Sequence, residues 1–273
     1  MQFIRQPSIQ QNPNPAAPLP ALLSFSTDEK AKTRVRLADL DRKWIIEFSE
    51  DENSADGLVI LGMRPGRTHR IKVTISNAGG TELAAAQELT HLTPAMPDHP
   101  YRNPHFTVYR NEKDKREPGV LLLSIHRAVQ GRYGDWTRVQ ADFTFSWGMI
   151  VALDGDGEIV WYYETDKFVE GISRLDNGNL LFNHWDMCTT EIDMLGNVIN
   201  RWSPSQNPYG VADGTIEVDT MGLHDQPEIM PDGNFLILTA SAREIDNYYT
   251  DHYNLDGPRE KKLVVGGGGI QDR

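Results

Sequence analysis

A histidine and an aspartate stand side by side in the segment GLHDQ, residues 222–226, shortly before a strand pattern. Imidazole has an unperturbed pKa of about 6.5, so it can act near neutral pH as a nucleophile, a proton carrier or a hydrogen-bond donor. A neighbouring carboxylate can orient the ring, or it can cap the turn before Pro227. We therefore take His224 and Asp225 as candidate site residues. The alternative is a structural histidine at the inner edge of a sheet.

A second histidine, His184, ends a strand pattern one repeat earlier, in LFNHWDM (181–187). It either faces the same channel as His224 or is a polar strand cap beside Trp185. Other charged or titratable side chains are better explained as surface or structural residues: His126, Arg127, Arg243 and His252.

The sequence predicts no metal site. Its single cysteine, Cys188, has no partner at metal-ligand spacing. The acidic run DGDGE (154–158) lacks the further ligands of an EF-hand loop and is typical of a β-turn.

Composition limits the classes of partner. The chain has 27 Lys+Arg and 39 Asp+Glu, a net charge of −12, so its average field repels nucleic acid and anionic membranes. No apolar run approaches the roughly 18 residues of a membrane span, and residues 1–20 lack the apolar centre of a secretory signal. We expect a soluble globular protein without a nucleic-acid partner or membrane insertion, whose anion sites are local.

The chain divides into four segments by composition. Residues 1–20 are rich in proline and predict an extended lead-in. Residues 21–94 hold short alternating strand patterns between turn signals, and LGMRPGRTHRIKVTISNAGG (61–80) is similar to a corner of fibronectin type III or immunoglobulin-like domains. We predict an immunoglobulin-like β-sandwich over 21–94, a linker over 95–118 and a second β domain over 119–273.

The second half repeats a strand, an Asp- or Asn-containing turn with glycine, and another strand. Residues 175–180 recur as 230–235, an offset of 55, and 153–154 recur as 192–193, an offset of 39. Repeats of this size built from strands predict a β-propeller. The length after the linker allows about three blades, whereas propellers close with about four to eight. We therefore expect a truncated propeller, or an open edge closed by a partner such as a second copy.

At these residues the chain resembles the bacterial arylsulfate sulfotransferase family. The resemblance covers about residues 119–240 and depends on VALDGDGEIVWYY (151–163), RLDNGNLLF (174–182), EIDMLGNVINRW (191–202) and GLHDQPEIMPDGNFLIL (222–238). It implies an all-β fold in which an immunoglobulin-like sandwich precedes a six-bladed propeller. His224 lies in the stretch similar to the family's HHD signature, but Leu223 stands where the first of the paired histidines often stands.

The resemblance implies transfer of a sulfuryl group from a phenolic sulfate ester to a phenolic acceptor, without a cofactor, through a transiently sulfated histidine. It also implies export to the periplasm or beyond. The family's nucleophilic histidine belongs to later blades, so we expect it to be absent from this chain and the chain itself to be inactive. His224 would donate to a sulfuryl oxygen or carry a proton, supported by Asp225 and by His184. A propeller module that binds a ligand or partner without chemistry is the competing hypothesis.

Overall fold

The computed structural model describes residues 1–131, 135–211, 213–250, 254 and 256–271. Strands make up 46% of the chain and helix 3%, which confirms the predicted all-β class. The strands form several sheets, none of which is closed within the described residues. The strands are β1 (Phe3–Gln11), β2 (Ala21–Thr27), β3 (Lys32–Ala38), β4 (Lys43–Phe48), β5 (Leu58–Ile60), β6 (Thr68–Ser76), β7 (Glu82–Ala84), β8 (Leu89–Leu92), β9 (Leu121–His126), β10 (Gly148–Leu153), β11 (Ile159–Thr165), β12 (Val169–Arg174), β13 (Leu180–His184), β14 (Thr189–Ile192), β15 (Val198–Pro204), β16 (Ile216–Val218), β17 (Leu223–Ile229), β18 (Phe235–Tyr249) and β19 (Arg259–Gln271), and a helix, α1, spans Arg138–Phe145.

The chain forms two compact units, each assembled from separate stretches of sequence. The first unit comprises Met1–Leu123, Met149–Glu164 and Met194–Gly196. The second unit comprises Ser124–Gly148, Thr165–Asp193 and Asn197–Arg273.

In the first unit, two sheets share one apolar core. One sheet has the strand order β1-β2-β5, and the other has the order β4-β3-β6-β7, with β8 also pairing to β6. In β6, burial alternates so that Ile71, Val73 and Ile75 point inward while Arg70 and Lys72 are exposed, as expected for a sheet with one solvated face. β1 lies within the stretch predicted as an extended lead-in and pairs antiparallel with β2.

A buried ion pair also stabilises the first unit. The Arg64 side chain is only 2% exposed, and its Nη2 lies 2.7 Å from Oδ2 of Asp154, whose side chain is 6% exposed. Oδ1 of Asp154 accepts hydrogen bonds from the backbone N–H groups of Asp156 (2.9 Å) and Glu158 (3.1 Å). Burial acts to raise the pKa of Asp154, but the Arg64 and backbone hydrogen bonds hold it below its ordinary value. The predicted β-turn at 154–158 is therefore tied to Arg64.

The second unit contains the repeated strands that follow β11. β12, β13, β14 and β15 follow one another as antiparallel neighbours, and β16 adds to β15 in parallel. A separate sheet has the order β17-β18-β19. Leu181, Trp202, Leu223 and Phe235 form a buried cluster shared by the two sheets, so each sheet needs the other to cover its apolar face.

The helix α1 begins with a capping box. Thr137 accepts a hydrogen bond from the backbone N–H of Gln140 (3.3 Å), and the Gln140 side chain accepts one from the backbone N–H of Thr137 (2.9 Å). These two bonds satisfy donors that the first helical turn leaves unpaired. The spacing Thr-x-x-Gln is visible in the sequence.

Candidate functional site

His224 and Asp225 lie at the beginning of β17, where the strand is bulged. The pairing of β17 with β18 shifts register between His224 and Glu228. Asp225 has φ = 58°, a left-handed conformation that residues other than glycine adopt at an energetic cost. His224 is half-buried and Asp225 is exposed. The bulge thus turns Asp225 out of the regular strand.

Hydrogen bonds on both sides hold the backbone of Asp225 in this conformation. Its N–H donates to Oε2 of Glu170 on β12 (3.1 Å), and its C=O accepts from Nδ2 of Asn183 on β13 (2.5 Å). Asn183 is fully buried, and its Oδ1 accepts a hydrogen bond from Oγ1 of Thr189 (2.5 Å). A half-buried glutamate and a buried asparagine therefore fix the left-handed residue from two neighbouring strands.

More polar groups join β12 to its neighbours. Nε2 of Gln226 donates to Oγ of Ser173 (3.2 Å), and that hydroxyl donates to the C=O of Pro227 (2.5 Å). Oγ of Ser124, on β9, donates to the C=O of Glu170 (3.1 Å). We call the set Glu170, Ser173, Asn183, His224, Asp225 and Gln226 the polar cluster.

The Glu170 carboxyl of the polar cluster has a shifted pKa. Burial is the largest cause and raises the pKa of this carboxyl above its ordinary value, and the nearby Asp225 carboxylate adds to the rise. The hydrogen bond from the Asp225 N–H and the attraction of His224 act in the opposite direction. Carboxyl groups with a raised pKa beside a histidine are frequent in sites that transfer protons.

Within the polar cluster only His224 can carry a positive charge toward a small anion, because its other ionisable groups are the carboxyls of Glu170 and Asp225. A half-buried imidazole beside carboxyl groups can offer an N–H to an oxyanion and exchange a proton. Within the part of the chain that the structure describes, no hydrogen bond joins the Asp225 carboxylate to the His224 ring. The observed contacts of Asp225 are made by its backbone.

His184 lies on a different face of β13 from the contact with Asp225. Successive residues of a strand point to opposite faces, and it is Asn183 that bonds Asp225. Nε2 of His184 lies 3.1 Å from Oγ1 of Thr190, and the ring is 7% exposed. The structure therefore does not bring His184 into the polar cluster.

The pKa of His184 is lowered to about 4, and burial is the main cause. Arg201 and Lys167 lower it further, while Asp186 opposes the change. The unfolded chain, with an ordinary histidine pKa of about 6.5, binds a proton that the folded state excludes. The stability that depends on a neutral His184 is therefore complete above pH of about 6.5 and is lost as the pH falls toward about 4.

Replacing His184 with glutamine should make stability less sensitive to acid. Between pH 7 and pH 5, the loss in the free energy of unfolding should shrink by about 2 kcal/mol, measured by urea denaturation. Glutamine can still bond Thr190, so the packing is largely kept. The matched control is His105→Gln at an exposed histidine, where no such change is expected. An equal acid response in the wild type and the His184→Gln variant would contradict the assignment.

A cavity of about 630 Å³ lies in the second unit beside the loop that follows β13. Its aromatic wall is formed by Phe145 and Trp185, whose rings stack with centroids 3.7 Å apart. Its cations, Lys167 and Arg201, both contact Oδ2 of Asp186, at 3.4 and 2.9 Å. The lining also contains Asp142 and Asp166, so its three aspartates outnumber its two cations and the cavity is a poor site for an anion.

The remaining candidates are structural or lie outside the described residues. The ring of His126 packs edge-on against Phe168 at 4.5 Å, and burial lowers its pKa. The Arg127 guanidinium lies 5.1 Å from the ring centroid of Trp147. Arg243 is an exposed residue of β18, paired with Val264, rather than a loop residue. His252 lies outside the described residues. In the described chain, no group of three or more His, Cys, Asp or Glu side chains is arranged to hold a metal ion.

Sequence analysis missed Glu170 and Asn183. The repeat offset of 55 residues places Glu170 in the position of Asp225, so the two acidic residues occupy equivalent places on β12 and β17. This offset was the available signal for Glu170. Asn183 gave no signal, because its position in the later repeat is occupied by Leu238.

The model of the arylsulfotransferase (ASST) family matches residues 111–257, which include the whole polar cluster. No curated protein matches the chain. Among the helical segments of the described residues, none has the length and apolar character needed to cross a membrane.

Proposed function

The chain belongs to the arylsulfotransferase (ASST) family, and on this premise we propose that it serves sulfuryl transfer from a phenolic sulfate ester to a phenolic acceptor. The observation that carries the proposal is that the family match, over residues 111–257, contains the polar cluster around His224. The resemblance gives the transfer two steps. A histidine nitrogen attacks sulfur and the phenolate leaves with the S–O electron pair; then the acceptor phenol takes the sulfuryl group, loses its proton and frees the histidine.

In this proposal, His224 stabilises the group in transit. The sulfuryl group carries negative charge on its oxygens in the transition state, and a fixed donor directed at those oxygens lowers the barrier. His224 is the member of the polar cluster that can supply an N–H and a positive charge. The sulfated histidine itself would be another residue.

Glu170 and Asn183 act as positioning residues in the same proposal. They bind the two sides of the Asp225 peptide, which directly follows His224, so they fix the direction in which the strand presents the ring. Asp225 supports His224 through this backbone conformation. A supporting role for His184 rests only on its place in the sequence, because its contact with Thr190 does not connect it to His224.

The competing hypothesis, a binding module without chemistry, predicts an apolar channel around His224. The side chains of β12 and β13 that bond the next two residues, Asp225 and Gln226, are instead polar: Glu170, Asn183 and Ser173. A preorganised polar cluster with a half-buried histidine favours the enzyme proposal.

The test is a transfer assay with p-nitrophenyl sulfate as donor and phenol as acceptor. It should use the 273-residue chain and any longer form that the gene encodes, each with His224→Ala, Asp225→Asn and His184→Gln. In an active form, His224→Ala should lower kcat/KM by about a hundredfold, since one oxyanion donor is lost. His105→Ala is the matched control and should leave the rate unchanged. Mass spectrometry of a reaction stopped before the acceptor is added should show one sulfuryl group on a histidine.

Two results would count against the proposal. Folded protein that shows no transfer in any form would favour the binding module. Full activity in the His224→Ala variant would remove this histidine from the site while leaving the family reaction intact.

A further inference from the structure

The solvated face of the first unit carries a groove of about 410 Å³ across strands β4, β3 and β6. Because burial alternates along these strands, Arg36 and Ala38 of β3 point to the same outer side, away from the core residues Val35 and Leu37. The groove is the size of sites that hold small molecules.

The register of the sheet arranges the groove as two rows. Ala38 pairs with Lys43 on one side and with Arg70 on the other. In the next row, Arg36 pairs with Ile45 and with Lys72. Directly opposed side chains on a sheet have Cβ atoms about 5 Å apart, so the methyl group of Ala38 forms a low floor among longer residues.

The groove is strongly positive in a negative protein. It contains four cations, Arg36, Lys43, Arg70 and Lys72, and one carboxylate, Glu88, which gives a local charge of 4 − 1 = +3. Glu88 contacts Lys72 at 3.2 Å and Arg70 at 4.0 Å. Arg36 and Lys43 have no carboxylate within 4.0 Å among the described residues. With a total of −12, the rest of the chain carries −15.

We propose that this groove is a binding site for a small organic anion, distinct from the polar cluster of the second unit. The anionic head, a carboxylate, phosphate, sulfate or sulfonate, lies over Ala38 between Arg36, Lys43 and Arg70. Arginine guanidinium groups bind such oxyanions in a bidentate manner. The apolar body of the ligand covers the side chain of Ile45, which is 55% exposed.

Charge and size favour a small ligand over a polymer or an anionic membrane. A polyanion or a lipid surface would extend beyond the four cations of the groove, and the chain as a whole is negative. An anion confined to about 410 Å³ meets only the cationic walls. Exposed charges more than about 8–10 Å apart are largely screened at physiological salt, so the local +3 determines the attraction.

The experiment titrates naphthalene-2-sulfonate into the protein and follows its backbone amide NMR signals. We expect saturable shifts at Ala38, Ile45 and Lys72. The neutral analogue 2-naphthol should bind at least about tenfold more weakly, because it lacks the charge-assisted contacts.

Two variants separate charge from shape. Arg36→Gln/Lys43→Gln removes the two unpaired cations, and Ala38→Ile fills the floor without changing any charge; each should weaken binding about tenfold or more. The control, Arg5→Gln/Lys30→Gln, makes the same charge change at exposed sites of the same unit and should bind like the wild type. Thermal unfolding of each variant confirms that it is folded.

The proposal is overturned if the sulfonate shifts only amides of the second unit, or if both groove variants bind as the wild type does. It is also overturned if the protein sediments with anionic phosphatidylserine vesicles through the groove while the free sulfonate does not bind. His224→Ala, tested in parallel, should not affect these shifts, so failure here and failure of the transferase proposal are distinguishable.

Discussion

Replacement of Arg64 by methionine is expected to lower the free energy of unfolding by about 3–5 kcal/mol, because it leaves the buried Asp154 carboxylate without its main partner. Methionine keeps most of the apolar stem, so loss of charge rather than loss of volume dominates the effect. Arg42 remains 3.6 Å from Asp154 and offsets part of the loss. The measurement is urea denaturation at pH 7.

An ion pair on the surface with nearly the same N–O distance provides the control. Lys30 lies 2.9 Å from Asp51, but the side chains are 76% and 79% exposed, so Lys30→Met should cost less than about 1 kcal/mol. Adding Asp154→Asn to Arg64→Met should restore part of the stability, since the neutral amide oxygen still accepts the turn hydrogen bonds of Asp156 and Glu158. If Arg64→Met and Lys30→Met lower the free energy of unfolding equally, the buried ion pair contributes no more to stability than the exposed one.

Replacement of Gly171 by alanine should destabilise the second unit by about 3 kcal/mol and disturb the polar cluster. A Cβ at this position would lie far inside van der Waals contact with Cα and N of Gln226. These are backbone atoms and cannot rotate away, so β12 and β17 would have to separate. The hydrogen bond from the Asp225 N–H to Glu170 joins the same strands and should be lost.

Hydrogen exchange of the Asp225 amide tests this prediction directly, together with the free energy of unfolding. Exchange should accelerate in the Gly171→Ala variant. The control is Gly79→Ala, where the added Cβ would meet only Oδ1 of Asn77 at 3.4 Å. An unchanged exchange rate and unchanged stability at position 171 would mean that the strands tolerate the methyl group, and the close approach would then not position His224.

Local patterns predicted the elements whose own residues alternate. The alternating strand patterns predicted within residues 21–94 include those of β3, β4 and β6, where one face of each strand packs on the core. The glycine-containing turns around 155, 178 and 233 were visible for the same local reason. β1 was not predicted as a paired strand, since its polar, proline-containing sequence takes its order from the main-chain ladder with β2.

The extent of β18 was also not predictable from its own residue pattern. Its apolar pattern ends near Leu238, but the strand continues to Tyr249 through main-chain pairing with β19. Such pairing depends on a partner strand and not on the residue types of the strand itself.

The candidate site was predictable by residue type and not by contact. His224 and Asp225 were chosen because their chemistry is unusual ahead of a strand. The partner of Asp225 is Glu170, 55 residues away. The residues next to each of them contain no pattern that predicts the contact. His184 was equally visible, but the sequence did not determine which face of β13 it occupies. The buried hydrogen bond of Asn183 decides that question.

The interleaved composition of the two units has a consequence for synthesis on the ribosome. The first unit takes residues 194–196 from far along the chain, and Nδ2 of Asn12 donates to the C=O of Leu195 (2.9 Å). Gly196 is packed so closely that a Cβ would lie 2.9 Å from Cβ of Ala17. The loop at residues 12–17 therefore cannot make these contacts until residue 196 has left the exit tunnel. By then, much of the second unit has also emerged. The nascent chain cannot finish one unit before it begins the other.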